Sequence, residues 1–211
     1  MSRAERVLLI LSTGLLLTTL FVAVVHPRGL LRGAILEPSL RWYSDRRVSS
    51  IWDELVFLGH PIVDVQAADT VLVFSDYRCP QCQRAHYETI VPLLDSDGDV
   101  AVYHVNLPLV SLHPDAPQLA LFSICATVRG DFAAVHDRLM AMAPEETIES
   151  LIGTEDLFGT LVNCTEGNDA SERLQRELNV AAQLGIDFTP ALVTRTGIRR
   201  GIDAEWVSTM R

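Results

Sequence analysis

The first apolar stretch of the chain is also the longest: residues 7–25 run nineteen positions without a charge, between Arg3 and Arg6 on one side and Arg28 and Arg32 on the other. As a helix rising about 1.5 Å per residue it spans a hydrocarbon core of roughly 30 Å, which predicts one transmembrane anchor. The run is longer than the apolar region of a cleaved signal peptide and lacks a small-x-small site at its end, which favours retention. Residues 1–6 then form a short cytoplasmic N-terminus. Residues 26–60 read as a spacer in which Val48, Ile51, Trp52, Leu55, Val56 and Leu58 recur at helical spacing up to Gly59. This predicts an amphipathic helix packed on the next domain, because too few basic residues flank it to hold it at a lipid surface.

From residue 61 the pattern becomes that of a mixed α/β domain, extending to residue 211. Thr70 to Phe74 is a continuous apolar run rich in β-branched residues, as a buried central strand requires. A helix-like stretch follows in which Cys82, Ala85, Thr89 and Leu93 share a face, with Pro92 expected to kink or end it. Val100 to Val105 reads as a second strand, parallel to the first because a helix connects them. Residues 113–184 then turn helical as one block: Leu119 to Val128 stopped by Gly130, Phe132 to Met142 before Pro144, a piece near 155–163, and Ala170 to Leu184 closed by Gly185. Strand character resumes at Thr189 to Thr194, and Thr196-Gly197 turns it back into Ile198 to Arg200. A short terminal helix completes the order, which fits a thioredoxin fold with a helical insertion between its βαβ unit and its C-terminal ββα unit.

Charge alters this picture in two ways. Residues 1–41 carry five Arg against two Glu, whereas residues 42–211 carry twelve Arg against 25 acidic residues, so the folded part is anionic and nucleic acid is excluded as a partner. All seventeen basic residues are Arg. With no Lys there is no lysine Schiff base, no Walker-type phosphate lysine and no Ser-Lys dyad.

The candidate chemistry lies at Cys79-Pro80-Gln81-Cys82, where a Cys-x-x-Cys opens a helix directly after a buried strand. Unpaired N–H groups and the helix dipole at that position stabilise an anion, so Cys79 is the expected nucleophile. Pro80 suits the first helical turn, where no N–H is needed. Cys82, one turn on and on the inner face, can resolve a mixed disulfide with Cys79. Two other readings exist for the same residues, an inert disulfide and half of a zinc site. The zinc reading lacks a second close pair, since Cys125 and Cys164 stand alone 43 and 82 residues beyond Cys82. His86, four residues past Cys82, is expected to be a partly buried structural histidine that could tune the site. His26, His60, His104, His113 and His136 show no ligand spacing, and Trp42, Trp52 and Trp206 are read as packing residues.

The segment Val73-Phe74-Ser75-Asp76-Tyr77-Arg78-Cys79-Pro80-Gln81-Cys82 resembles the active site of DsbA-like thioredoxin-fold oxidoreductases. Two further stretches are similar to the same family: Leu119 to Met140, with Gly130-Asp131-Phe132 and His136-Asp137, to its inserted helices, and Phe188-Thr189-Pro190-Ala191 to the loop facing its active site. The resemblance implies a cis bond before Pro190 and a substrate-contacting role for Thr189 and Pro190. It also implies a bridge between Cys125 and Cys164, with two buried free thiols as the alternative. A bridge there favours an oxidising compartment.

Two departures stand out. Gln81 occupies the place of a histidine in the stronger oxidants of the family, so a weaker oxidant is expected. Val73 stands where many relatives bury an acid, which leaves Asp76 as the nearest group to move a proton at Cys82. The expected function is a membrane-anchored thiol-disulfide oxidoreductase in the cytoplasmic membrane, its C-terminal domain facing the periplasm or cell exterior. It would act on cysteines of substrate proteins and be recycled by a redox partner, with no organic cofactor or metal required. The alternative is an assembly protein that holds copper or zinc on Cys79 and Cys82.

Overall fold

The computed structural model describes residues 43–44, 46–62, 69–94 and 100–202. The expected transmembrane run, the first part of the spacer, Trp42, Trp206 and the terminal helix lie outside the described residues. No helix among those described is long and apolar enough to cross a membrane.

Six strands form one sheet: β1 (Tyr43–Ser44), β2 (His60–Pro61), β3 (Asp69–Ser75), β4 (Val100–Asn106), β5 (Ala191–Thr194) and β6 (Gly197–Arg200), in the order β1-β6-β5-β3-β4-β2. β3 is central, parallel to β4 and antiparallel to β5, and the β5–β6 hairpin turns at residues 195–196, one residue ahead of the predicted Thr196-Gly197 turn because Gly197 already pairs with Thr194. Alternate β3 side chains feed two cores, as the pleat dictates. Leu72 and Phe74 pack with Val180, Ala181, Leu184, Ala191 and Val193, while Val71 and Val73 pack with Ile90, Leu93, Val102 and Phe132 on the opposite face. A third core lies inside the helical block, around Leu119, Phe122, Val135, Leu139, Leu151, Phe158 and Leu161.

The described part of the segment read as spacer, from residue 43, is built into this domain. Its helical pattern forms two short helices, α1 (Arg46–Ser50) and α2 (Trp52–Leu58), and its ends supply β1 and β2 at the two edges of the sheet. Val48, Trp52, Leu55 and Leu58 are buried against the sheet, in agreement with the packed reading. Gly59 sits where β2 meets β4: a Cβ there would come within 2.7 Å of Tyr103 Cβ, so only glycine lets the strands pair.

The helix after β3 is continuous but not uniform. α3 (Pro80–Ala85) widens into a π turn at His86–Ile90, closed by the Val91 N–H on His86 O, and resumes as α4 (Val91–Leu94). Pro92 neither ends this helix nor leaves it regular. Its ring cannot tolerate the carbonyl four residues back in a standard turn, and the wider turn ahead of it relieves that contact. The inserted block is α5 (Ala116–Arg129), α6 (Phe132–Met140), α7 (Ile148–Thr154), α8 (Asp156–Thr165) and α9 (Asn168–Leu184). Gly130 and Gly185 end α5 and α9 at positive φ, 85° and 69°, as the stop signals require. α7 is the helix that the periodicity did not predict, because only Ile148 and Leu151 mark its buried side.

Candidate active site

β3 delivers the chain to the site, and a tight turn at Asp76 to Arg78 aims it into α3. Cys79 is the N-cap of that helix, and its backbone carbonyl accepts from the N–H groups of Cys82 and Gln83 at 3.0 and 3.1 Å. Both thiols are free, and their residues are 7% and 2% exposed, which leaves Cys79 the more accessible. Opposite them lies the Thr189–Pro190 bond, which is cis, and the Cys79 thiol faces the Thr189 carbonyl at 3.8 Å. Pro190 O accepts from the Gly201 N–H at 2.9 Å, which ties this loop to the end of β6.

The two sulfurs are electrostatically unequal. The Cys79 thiol is pulled down from its ordinary value of 9.0 to about 6, first by the hydrogen bond from the Cys82 thiol, then by Thr189 and the N–H groups of Cys82 and Gln81, against the opposing effect of burial. The Cys82 thiol is pushed up, chiefly by burial and then by its neighbour's thiolate, with the Ser75 hydroxyl acting weakly in the other direction. A stabilised thiolate therefore sits beside a thiol that keeps its proton. That is the division of labour between an attacking sulfur and a resolving one.

Asp76 occupies a different place from the one expected. Its Oδ1 accepts the Arg78 N–H at 2.8 Å, and its Oδ2 accepts the Leu109 N–H and the His113 imidazole, each at 2.8 Å. With both oxygens so engaged, Asp76 fixes the turn before Cys79 to the loop after β4. Three residues that the sequence reading did not single out share this work. Arg78 donates to Asp115 Oδ2 and to the carbonyls of Ala143 and Glu146, and the Gln83 amide donates to the Tyr77 and Met142 carbonyls. Tyr77 is buried beneath the turn, with its hydroxyl 3.0 Å from His136 Nδ1. Only their closeness in sequence to the cysteines could have pointed to them. Pro80 and Gln81 stand exposed on the first turn of α3, and Gln81 acts on Cys79 through its backbone N–H.

The remaining candidate residues lie away from the cysteines. Cys125 on α5 and Cys164 on α8 are joined by a disulfide, as the resemblance implies. His86 is fully buried rather than partly so, and its side chain turns toward α6. Three of the histidines that show no ligand spacing in sequence, His60, His104 and His136, converge in space with His86. His60, His104, His136 and His86 follow one another with ring centroids 6.5, 4.8 and 4.9 Å apart, because β2, β4, α6 and the π turn all present them to the same layer. Inside that layer Glu177 is completely buried and accepts from His60, from the Asn106 N–H and from the Asn106 amide.

Residues 58–199 match the sequence profile of the thioredoxin family. No curated protein sequence matches the chain. Among solved structures, a thioredoxin-like oxidoreductase from Silicibacter pomeroyi DSS-3 is 22% identical with a TM-score of 0.66, over 79% of this chain and 95% of that one. The catalytic domain of Proteus mirabilis ScsC is 24% identical with a TM-score of 0.61, over 77% and 93% of the two chains. The thiol-disulfide exchange protein α-DsbA2 from Wolbachia pipientis is 16% identical with a TM-score of 0.65, over 77% and 91%. These likenesses establish the helix-inserted form of the fold, and the profile match shows that this chain belongs to the thioredoxin family.

Proposed function

We propose that this chain is a thiol-disulfide oxidoreductase anchored in the cytoplasmic membrane through residues 7–25, working on cysteines of proteins outside the cytoplasm. The observation that carries this reading is the asymmetry of the CPQC pair: a thiolate at a helix N-terminus, a protonated partner one turn away, and the Thr189 carbonyl facing the first sulfur. In a dithiol-to-disulfide cycle the Cys79 thiolate attacks one sulfur of a substrate disulfide, that bond breaks, and the substrate leaves one thiolate. Cys82 then gives up its proton and attacks Cys79 Sγ, releasing the second substrate thiolate and leaving the pair oxidised. In reverse, the oxidised pair accepts attack from a substrate thiolate and returns as the dithiol. A separate redox partner resets it.

Thr189 and Pro190 are placed to contact an extended substrate beside the sulfur. Exposed Val110 and Leu112 lie on the loop that Asp76 fixes to the active-site turn, a surface suited to unfolded chain. Relatives described as oxidoreductases and thiol-disulfide exchange proteins support this chemistry. The bridge between Cys125 and Cys164 supports an oxidising compartment, and the charge-free run at 7–25 supports the anchor. Gln81 in place of a histidine gives the Cys79 thiolate a neutral neighbour, so the pair oxidises less strongly than relatives with a charged one. The test is a glutathione redox titration of the full chain in detergent, paired with turnover of a disulfide-bonded test protein. A reversible two-electron transition with turnover upholds the reading, and an inert pair that binds copper or zinc instead overturns it.

A further inference from the structure

One end of the buried histidine layer is left without partners. His60 is satisfied by Thr127 and Glu177 at 2.7 and 2.9 Å, and His104 Nε2 lies 3.0 Å from Asn106 Oδ1. At the other end His136 uses Nδ1 on the Tyr77 hydroxyl, while its Nε2 has no hydrogen-bond partner, and neither nitrogen of His86 has one. The two residues are 0% and 1% exposed, so both imidazoles have lost water without an aligned replacement. Asp137, next to His136 on α6, brings Oδ1 to 3.3 Å from His86 Nε2, and its side chain is 63% exposed. One ligand atom from each of the three residues lies within 4.8 Å of the others.

We propose that His86, His136 and Asp137 form a binding site for a divalent transition-metal ion, with Zn²⁺ its closest match, separate from the cysteine pair. Two imidazoles and one carboxylate are a zinc donor set with a fourth position left for water. The Tyr77 oxygen lies 3.0 Å from His136 Nδ1, and in the tautomer that donates Nδ1–H to it Nε2 is the free lone pair. An outer partner of this kind is the usual companion of a metal-bound histidine. Ligands about 2.1 Å from a tetrahedral ion stand roughly 3.4 Å apart, so the most distant of the three atoms must close by up to about 1.4 Å. The exposed Asp137 carboxylate has the freedom to do so.

The site would clip the π turn of the active-site helix to α6, one turn beyond Cys82. π turns are frequent at functional sites. Its occupation would therefore stiffen the seat of the cysteine pair without touching sulfur.

The test is zinc titration by calorimetry on the untagged full chain with Cys79 and Cys82 oxidised, so that the thiols cannot compete. One equivalent of Zn²⁺ is expected, together with a rise in thermal midpoint. His86→Gln should remove the binding. Because that variant alters a buried residue, Asp137→Asn on the surface decides independently: the zinc-free protein should melt as the parent does, with affinity at least tenfold weaker. Absence of stoichiometric binding, or parental affinity in Asp137→Asn, overturns the proposal.

Discussion

Cys79 and Cys82 stand three residues apart at the start of a helix, whereas Cys125 and Cys164 stand 39 apart on two inserted helices. The first pair opens α3 just after the turn that follows β3, where a neighbouring thiol, Thr189 and backbone N–H groups favour a thiolate. The second lies among Leu119, Phe122, Val135 and Phe158, with Cys125 wholly buried and its thiol consumed in the bond to Cys164. The sulfur chemistry is the same, and the surroundings decide its use. One pair can open and close with substrates, while the other joins α5 to α8 and shortens the loops available to the unfolded chain.

This contrast can be broken at either pair. The largest effect falls on Cys79→Ser, which should abolish disulfide exchange, while Cys82→Ser should let mixed disulfides with substrate accumulate, visible on non-reducing gels. Replacing Cys125 and Cys164 together by Ser should leave exchange intact but lower stability by about 4 kcal/mol, the loop-closure value for a 39-residue separation, read from urea unfolding. Asp76→Ala should cost about 3 kcal/mol, because the N–H groups of Arg78 and Leu109 and the His113 imidazole lose their acceptor inside the fold. It should also lower turnover by loosening the turn before Cys79. The smallest change is expected for Thr189→Val, which keeps shape but removes the hydroxyl: the Cys79 thiol should titrate at higher pH with unfolding unaltered.

Local signals carried most of the scaffold. The β-branched run at β3, the glycine stops at 130 and 185, and the turn into β6 each act over a few residues; the first two appear where the pattern requires, and the turn one residue earlier. β1 and β2 were not legible because each is two residues long and exists only through its partners β6 and β4. At the site, Cys79, Cys82 and Pro190 could be read from motif and context. The roles of Asp76, Arg78 and Gln83 could not, since their partners lie 33 to 68 residues away across the insertion. The approach of His86 to His136 was invisible for the same reason: it is made by two helices facing each other, and no spacing along one of them encodes it.

The central claim is that helix α3 holds the Cys79 sulfur as an anion. In the dithiol form that stabilisation is complete above the ordinary thiol value of 9.0 and is lost as pH falls through about 6. Alkylation of the reduced full chain by iodoacetamide, followed from pH 4 to 10 with Cys79 modification read by peptide mass, measures it directly. A rate that reaches half its plateau near pH 6 is the predicted result, and one still rising toward pH 9 would contradict the account.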